Sequence, residues 1–348
     1  MQSTNNSFHY HSNGERNNYI DIIKGIAIIL VVIGHCIQFG SGRSYLDSEV
    51  FFNNPLFKFI YSFHMPLFML VSGYLFANTI KRGTNAIIKR KAVTILLPLI
   101  SWHTVALFIN LLLGQNYTLS ILFLSYFHAL WFLRALFFCC MVVLLMNRVF
   151  RDNIYSYLAL IIILHFIPNR ILPNIFVFTI IFFILGYLYC LNNRGRSIST
   201  NHRIVLFTVS CVTFILLLTF FKDTYFIYRS NTCIINGKYS PLTTIYINIY
   251  RYLTATTGCI TIILAIHYLY QKLHHVIISA LTVIGQASLC IYIINSLFNE
   301  FILVYLPFSH INYFITIAEA SIIILVSYGI YVLLKLHKIS KYFFLGGR

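Results

Sequence analysis

The chain has 348 residues, of which 59% are hydrophobic, 17% aromatic and only 9% charged. Soluble domains devote about a quarter of their residues to charge, so this composition excludes a soluble enzyme and points to an all-α polytopic membrane protein. A net charge of +17 would suggest a nucleic-acid partner in a soluble chain; here the basic residues sort by loop, which implies topology and anionic lipid instead.

Hydrophobic runs of roughly 20 residues, enough to cross about 30 Å of hydrocarbon, recur almost to the end. About ten transmembrane helices are expected, near Tyr19–Phe39, Leu56–Ala77, Val93–Leu113, Ala129–Met146, Ile154–Ile167, Asn174–Leu191, Ile204–Phe221, Thr243–Tyr268, Val276–Asn299 and Tyr313–Leu336. The fifth is short. Residues 1–18 read as a polar cytoplasmic tail, 19–337 as one membrane domain and 338–348 as a cytoplasmic tail. No small-residue cleavage site follows the first run, so it is expected to stay as an anchor.

With the N-terminus inside, sixteen basic residues fall in inner segments (Arg16, Lys81, Arg82, Lys89, Arg90, Lys91, Arg148, Arg151, Arg194, Arg196, Arg203, Lys272, Lys335, Lys338, Lys341, Arg348). Five fall outside: Arg43, Arg170, Lys222, Arg229 and Lys238. That bias places both termini in the cytoplasm. Seven of the eight cysteines lie in predicted spans, with Cys233 in an outer loop, and no CxxC occurs. Neither a disulfide framework nor a metal centre is expected. No internal repeat is visible, which weighs against a transporter built from matched halves.

The first span reads DIIKGIAIILVVIGH, from Asp21 to His35. Ionisable groups inside a membrane are costly and persist mainly where they act. The eleven steps from Lys24 to His35 advance three turns plus about 20°, so both lie on one helix face, ~16 Å apart along the axis. Asp21 shares that face. Two readings stand: an interfacial Asp21–Lys24 ion pair with a merely structural His35, or a functional stripe. The second span, FHMPLFMLVSGYLF, adds His64, Pro66, Ser72 and Gly73. Proline inside a membrane helix is tolerated where the freed carbonyl faces protein or a cavity, so His64 and His35 could share a polar chamber, or His64 could make only a structural hydrogen bond.

The run KRGTNAIIKRK after span two is either a topogenic anchor or a cradle for the phosphates of a nucleotide-like cosubstrate. The fourth span, ALWFLRALFF, places Arg134 about one turn inside the bilayer, as an interfacial anchor or a site residue. Arg251 and Glu319 are the other candidates for buried charge. The long outer loop Lys222–Leu242 could line a substrate mouth.

These segments together resemble the acyltransferase 3 family, membrane-embedded acyltransferases that modify bacterial surface sugars and related acceptors. The family's first helix has a basic residue, ten intervening residues and a histidine, matched here by Lys24 and His35. FHMPLFMLVSGYLF and ALWFLRALF follow in order and spacing, and GQASLCIYIIN (Gly285 to Asn295) is a weaker late match. Two positions depart from the pattern. The late motif commonly ends in histidine where this chain has Asn295, and the basic pair before the proline of LLP keeps Lys91 but has Thr94 three residues on.

The resemblance implies an acyl-CoA donor, usually acetyl-CoA, taken from the cytoplasm, and an acceptor hydroxyl on a glycan or lipid-linked sugar in the bacterial inner membrane. His35 is expected as general base, an imidazole being suited to proton transfer near neutral pH. Lys24 and Asp21 are expected as electrostatic partners at the donor entrance, and His64, with Arg134, at the developing oxyanion. Lys89, Arg90, Lys91, Arg134 and Ser72 are the candidate donor-binding residues. Rival classes are a polysaccharide or lipid-linked sugar exporter (flippase) and a non-catalytic membrane scaffold.

Overall fold

A computed structural model of the protein describes residues 17–115, 118, 121, 125–126, 130–193, 199–235, 238–306 and 312–347. These residues are helical, with no strand among them. In chain order the helices are α1 (Asn18–Phe39), α2 (Arg43–Ser48), α3 (Pro55–Ala77), α4 (Thr84–Lys91), α5 (Leu97–Leu112), α6 (Trp131–Phe150), α7 (Ile154–Leu164), α8 (Asn174–Asn192), α9 (Thr200–Thr219), α10 (Pro241–Tyr270), α11 (His275–Gln286), α12 (Ser288–Phe301), α13 (Tyr313–Leu336) and α14 (Lys338–Leu345). Nine helices among the described residues are long and apolar enough to cross a membrane.

Starts are written locally in the sequence. The Asn17 side chain accepts from the Tyr19 N–H at 3.0 Å, and the Asn54 side chain accepts from Phe57 N–H at 3.0 Å just ahead of Pro55. Ser199 and Ser240 cap α9 and α10 in the same way. A side-chain oxygen at that position satisfies a backbone donor that the helix cannot, and proline fits the first turn because its missing N–H is not needed there.

Two expected spans take unexpected forms. The fifth is the 11-residue α7, short for a crossing. The ninth is divided at Ala287 into α11 and α12. The basic run is part turn and part helix: residues 81–83 form the turn, and α4 carries the rest and continues into α5 through a widened turn at Ala92–Leu96, making one helical segment from Thr84 to Leu112. Arg148, in the last turn of α6, holds the chain just before it, donating to Thr84 Oγ1 (3.1 Å) and to the carbonyls of Ile80 (3.2 Å) and Arg82 (2.6 Å). Residues 338–345, expected as tail, form α14, which docks with Leu345 buried and the Phe344 carbonyl accepting from Trp102 Nε1 at 3.1 Å. Its apolar residues need cover, and α5 provides it. Arg16, Arg194, Arg196 and Arg348, and Ala129 at the expected start of the fourth span, lie outside the described residues.

Helices α1, α3 and α8 form the most buried part of the bundle, while α9 and α13 turn most of their surface outward. Two glycine crossings set the spacing. Cβ atoms on Gly25 and Gly285 would overlap the Leu281 and Asp21 carbonyls respectively. Likewise Gly73 meets the Phe183 carbonyl and Gly186 the Leu70 carbonyl. Only glycine lets two backbones approach this closely. Helix α3 runs against α1, since Gly34 lies on Ile60 and Tyr61 while Ile37 clusters with Phe57. The Asp21 end of α1 and the Ala77 end of α3 are therefore the same end of the bundle.

Candidate active site

His35 is half-buried in the last two turns of α1. Its Nδ1 lies 2.5 Å from the Asn295 carboxamide nitrogen, across 260 residues of sequence. Gly25 and Gly285 are separated by the same 260 positions. The segment α11–α12 thus runs alongside α1 in the same direction, the glycines setting the distance and Asn295 arriving level with His35. Asn295 is fully buried, and its Oδ1 has no hydrogen-bond partner among the described residues.

His64 sits on α3, 2% exposed. Its Nδ1–H donates to the Ile60 carbonyl one turn earlier, at 2.8 Å. Helix α3 continues unbroken through Pro66, whose missing N–H leaves the Ser62 carbonyl without its usual donor. Tyr61 joins the two histidines: its ring centroid is 6.4 Å from that of His35 and 4.7 Å from that of His64. The Tyr61 hydroxyl donates to Gln38 Oε1 at 2.8 Å, and its ring stacks on Phe57 at 3.8 Å.

The fourth-span motif reaches the same place. Phe132 packs edge-on to Phe68 of α3 (5.8 Å) and to Tyr292 of α12 (5.6 Å), one turn before Asn295. Arg134, one turn into α6, lies 5.9 Å from the Phe176 ring. Beyond His35, a carboxylate oxygen of Glu319 rests against Gly40, while Oε1 of Glu319 and Oδ1 of the buried Asn299 have no partner among the described residues.

Lys24, Asp21, Lys89, Arg90 and Lys91 lie at the Asp21 end. Lys24 donates to Asp21 Oδ1 at 3.0 Å, with the aspartate nearly covered by the Gly285 crossing and the lysine 21% exposed. Lys89 and Arg90 are exposed, and Lys91 Nζ lies 5.1 Å from the Phe76 ring at the end of α3. From Phe76 back to His64 the helix rises ~18 Å, close to the ~16 Å between Lys24 and His35. Ser72 is half-buried beside the Gly73 crossing, between the two levels. Arg251 belongs to neither: it is 3% exposed, donates to the Tyr225 carbonyl (2.9 Å), Asn248 Oδ1 (3.1 Å) and Ser230 Oγ, and so ties residues 225–230 to α10.

With this layout established, comparison with known proteins adds three findings. The acyltransferase 3 family profile, described as an acyltransferase domain, matches residues 17–336. The chain belongs to the acyltransferase 3 family. Two nodulation proteins NolL are similar to this acyltransferase 3 member. The one from Mesorhizobium japonicum is 30% identical over 219 residues, 60% of this chain and 58% of the relative. That from Sinorhizobium fredii is 44% identical over 88 residues, 25% of this chain and 23% of the relative. The chain therefore covers less than two thirds of either relative's length. No solved structure matches it.

The acyltransferase 3 match takes in all four motif segments, α1, α3, α6 and α11–α12, and stops before α14. Residues that matter to the geometry yet are absent from the expected site are Tyr61, Phe132, Tyr292 and Asn299. Tyr61 and Asn299 had a local signal, standing three residues before His64 and four after Asn295, on the same helix faces. The contacts of Phe132 and Tyr292 are tertiary and leave no such trace.

Proposed function

We propose that the protein is a membrane-bound O-acyltransferase that moves an acyl group, typically acetyl, from acyl-CoA to a hydroxyl of a bacterial surface polysaccharide or lipid-linked sugar. The observation that carries this reading is convergence: the first, second and late family motifs meet at one membrane-embedded imidazole through Asn295 and Tyr61, and the fourth-span motif packs on the last two through Phe132, against Phe68 and Tyr292. The basic groups are displaced from it by the length of an extended arm. Coenzyme A cannot cross a bilayer, but its pantetheine arm can reach inward while Lys89, Arg90 and Lys91 hold the phosphates, chemistry that suits exposed basic side chains. This reading puts the Asp21 end at the cytoplasmic face of the inner membrane. The paired Asp21 and Lys24 then line the donor entrance.

In the reaction, His35 removes the acceptor hydroxyl proton as the oxygen attacks the thioester carbon. The tetrahedral intermediate collapses, and the coenzyme thiolate leaves with the proton returned by the imidazolium. General-base catalysis of this kind contributes about 10²–10⁴-fold. His64 takes a different part from the one its position suggests. Because Nδ1–H is given to the Ile60 carbonyl, a neutral His64 offers a lone pair at Nε2; it can donate to an oxyanion only as imidazolium. Arg134 needs no such change.

The test is incubation of the purified protein in nanodiscs with isotope-labelled acetyl-CoA and candidate glycans, followed by mass measurement. Glycan carrying the labelled acyl group is the expected product. Movement of unmodified glycan across vesicles without acyl-CoA, with no acylated product, would replace this reading by an exporter.

A further inference from the structure

A neutral imidazole has one N–H and one lone pair, and the partner at one nitrogen decides what the other can do. Among the described residues the hydrogen-bond partner of His35 is Asn295 alone, at Nδ1. With the carboxamide nitrogen facing the ring, Asn295 donates to Nδ1 and the ring proton stands on Nε2. Both ring nitrogens are then spent, and no lone pair remains to accept a proton. In either orientation one end of the Asn295 carboxamide faces away from the ring; in this one it is Oδ1, without a hydrogen-bond partner among the described residues, and in the other it is the NH2. Nitrogen and oxygen of a carboxamide are nearly interchangeable in shape, so a half-turn of the amide fits the same space. After that half-turn Nδ1–H donates to Oδ1, and Nε2 carries a free lone pair.

We propose that Asn295 is a positioning residue that works in this second orientation, holding His35 in its Nδ1–H tautomer so that Nε2 is the base; the catalytic part of this rests on the acyl-transfer reading. The surroundings leave the task to Asn295. The titratable groups facing this level are Cys36 on α1, Tyr61 and His64 on α3, Tyr228 in the segment before α10, Tyr292 on α12 and Glu319 on α13. Each is engaged elsewhere or lacks a bond to the ring: Tyr61 gives its hydroxyl to Gln38, His64 gives Nδ1–H to its own helix, and Glu319 lies against Gly40. A carboxamide is neutral at every pH, so it can fix the tautomer without adding charge.

The direct test is histidine-selective ¹⁵N labelling of the full chain in lipid, read by solid-state NMR, with His35→Asn used to assign the ring. Expected are a protonated Nδ1 and an unprotonated Nε2 in the wild type, and a mixture or reversal in Asn295→Leu. An unprotonated Nδ1 in the wild type overturns the proposal, as does an unchanged tautomer in Asn295→Leu. The wild-type spectrum decides even where that variant does not fold. Acyl transfer gives the second readout. Asn295→Asp keeps an acceptor and is expected to stay within about tenfold of wild type, with the acidic limb of its pH–rate profile moved upward because the carboxylate favours the imidazolium. Asn295→Leu is expected to lose about 10²-fold or more. Full transfer by Asn295→Leu removes the role of Asn295 and leaves the acyl-transfer reading standing. A protonated Nδ1 in a protein that transfers no acyl group has the opposite meaning: the tautomer assignment holds and the acyl-transfer reading fails.

Discussion

The helix that carries His35 and the helix that carries His64 are built alike at one end and differently at the other. Each is held to a neighbour by a reciprocal glycine crossing, Gly25 with Gly285 and Gly73 with Gly186. Each neighbour runs in the same direction: Cys190 Sγ, one turn past Gly186, is 4.0 Å from Asn78 Oδ1, one turn past Gly73. The difference lies beyond the crossing. The partner of α1 breaks at Ala287 and returns as α12, bringing Asn295 to His35. Among the described residues His64 bonds to its own backbone, at the Ile60 carbonyl, and not to the partner of α3. One histidine therefore has its proton placed by a residue 260 positions away, the other by its own helix. Protonation that depends on a remote element can be tuned or lost without disturbing the helix itself, which is what a reacting group needs and a structural one does not.

The largest effect is expected from replacing the two rings separately. His35→Ala should lower acyl transfer by about 10²–10⁴-fold with the protein still inserted and monodisperse. His64→Ala removes one backbone-directed hydrogen bond, worth about 0.5–1.5 kcal/mol, and should cost no more than about tenfold. Rates normalised to folded protein check both. A reversed order would move the base from α1 to α3.

The glycine crossings give the next contrast. Leucine at Gly285 or at Gly186 overpacks a tight backbone contact, at about 1–3 kcal/mol each, and both variants should unfold at lower temperature. Only Gly285→Leu should also slow transfer per folded molecule, by more than about tenfold, because only that crossing sets the register of Asn295 on His35. Equal losses from the two would mean that the shared crossing matters and the Asn295 contact does not.

Much of this was legible in the sequence, and the boundary of legibility is physical. Helical periodicity alone places Asp21, Lys24 and His35 on one stripe, and Lys24 pairs with Asp21 at 3.0 Å, a contact that one of the two readings of that stripe contained. Span count follows from apolar length, which is why eight of the ten expected crossings coincide with a long helix; the ninth keeps only its second half in such a segment, Ser288–Tyr305, and the fifth is the short α7. What the chain does not write locally is pairing between distant helices. Asn295 stood out only as a departure from a motif. The break at Ala287 has no proline to announce it, and the Gly73 crossing was visible only as an echo, GYLF at 73–76 and GYLY at 186–189. The helical basic run went unread because its charges mask the amphipathic turn that buries Ile87.

A third comparison sets the histidine level against the Asp21 end. Replacing Lys89, Arg90 and Lys91 together by alanine removes three cations from the surface that would meet the donor's phosphates, without touching His35 or His64. Donor KM should rise about tenfold, with kcat within about twofold, since a contact made equally in ground and transition states changes binding alone. High salt should reproduce part of the effect in the wild type, because exposed charges are screened beyond about a Debye length. An unchanged KM would return the run to the role of a topogenic anchor.

Tyr61 offers the finest cut, because its ring lies against both histidines while its hydroxyl, among the described residues, bonds only to Gln38. Tyr61→Phe keeps the ring between them and deletes the hydroxyl, leaving Gln38 to find another donor. If the ring acts by packing, transfer should stay within about threefold and stability should fall by no more than ~1.5 kcal/mol. Tyr61→Ala opens a cavity at the contact of α1 and α3 and should cost about 3–5 kcal/mol, the range for emptying a large aromatic site. Its folded fraction should fall far more than that of Tyr61→Phe. Should Tyr61→Phe instead match His35→Ala in lost transfer at full stability, the hydroxyl itself would belong to the reaction, and the division between a remotely set histidine and a locally set one would have to include the phenol that lies between them.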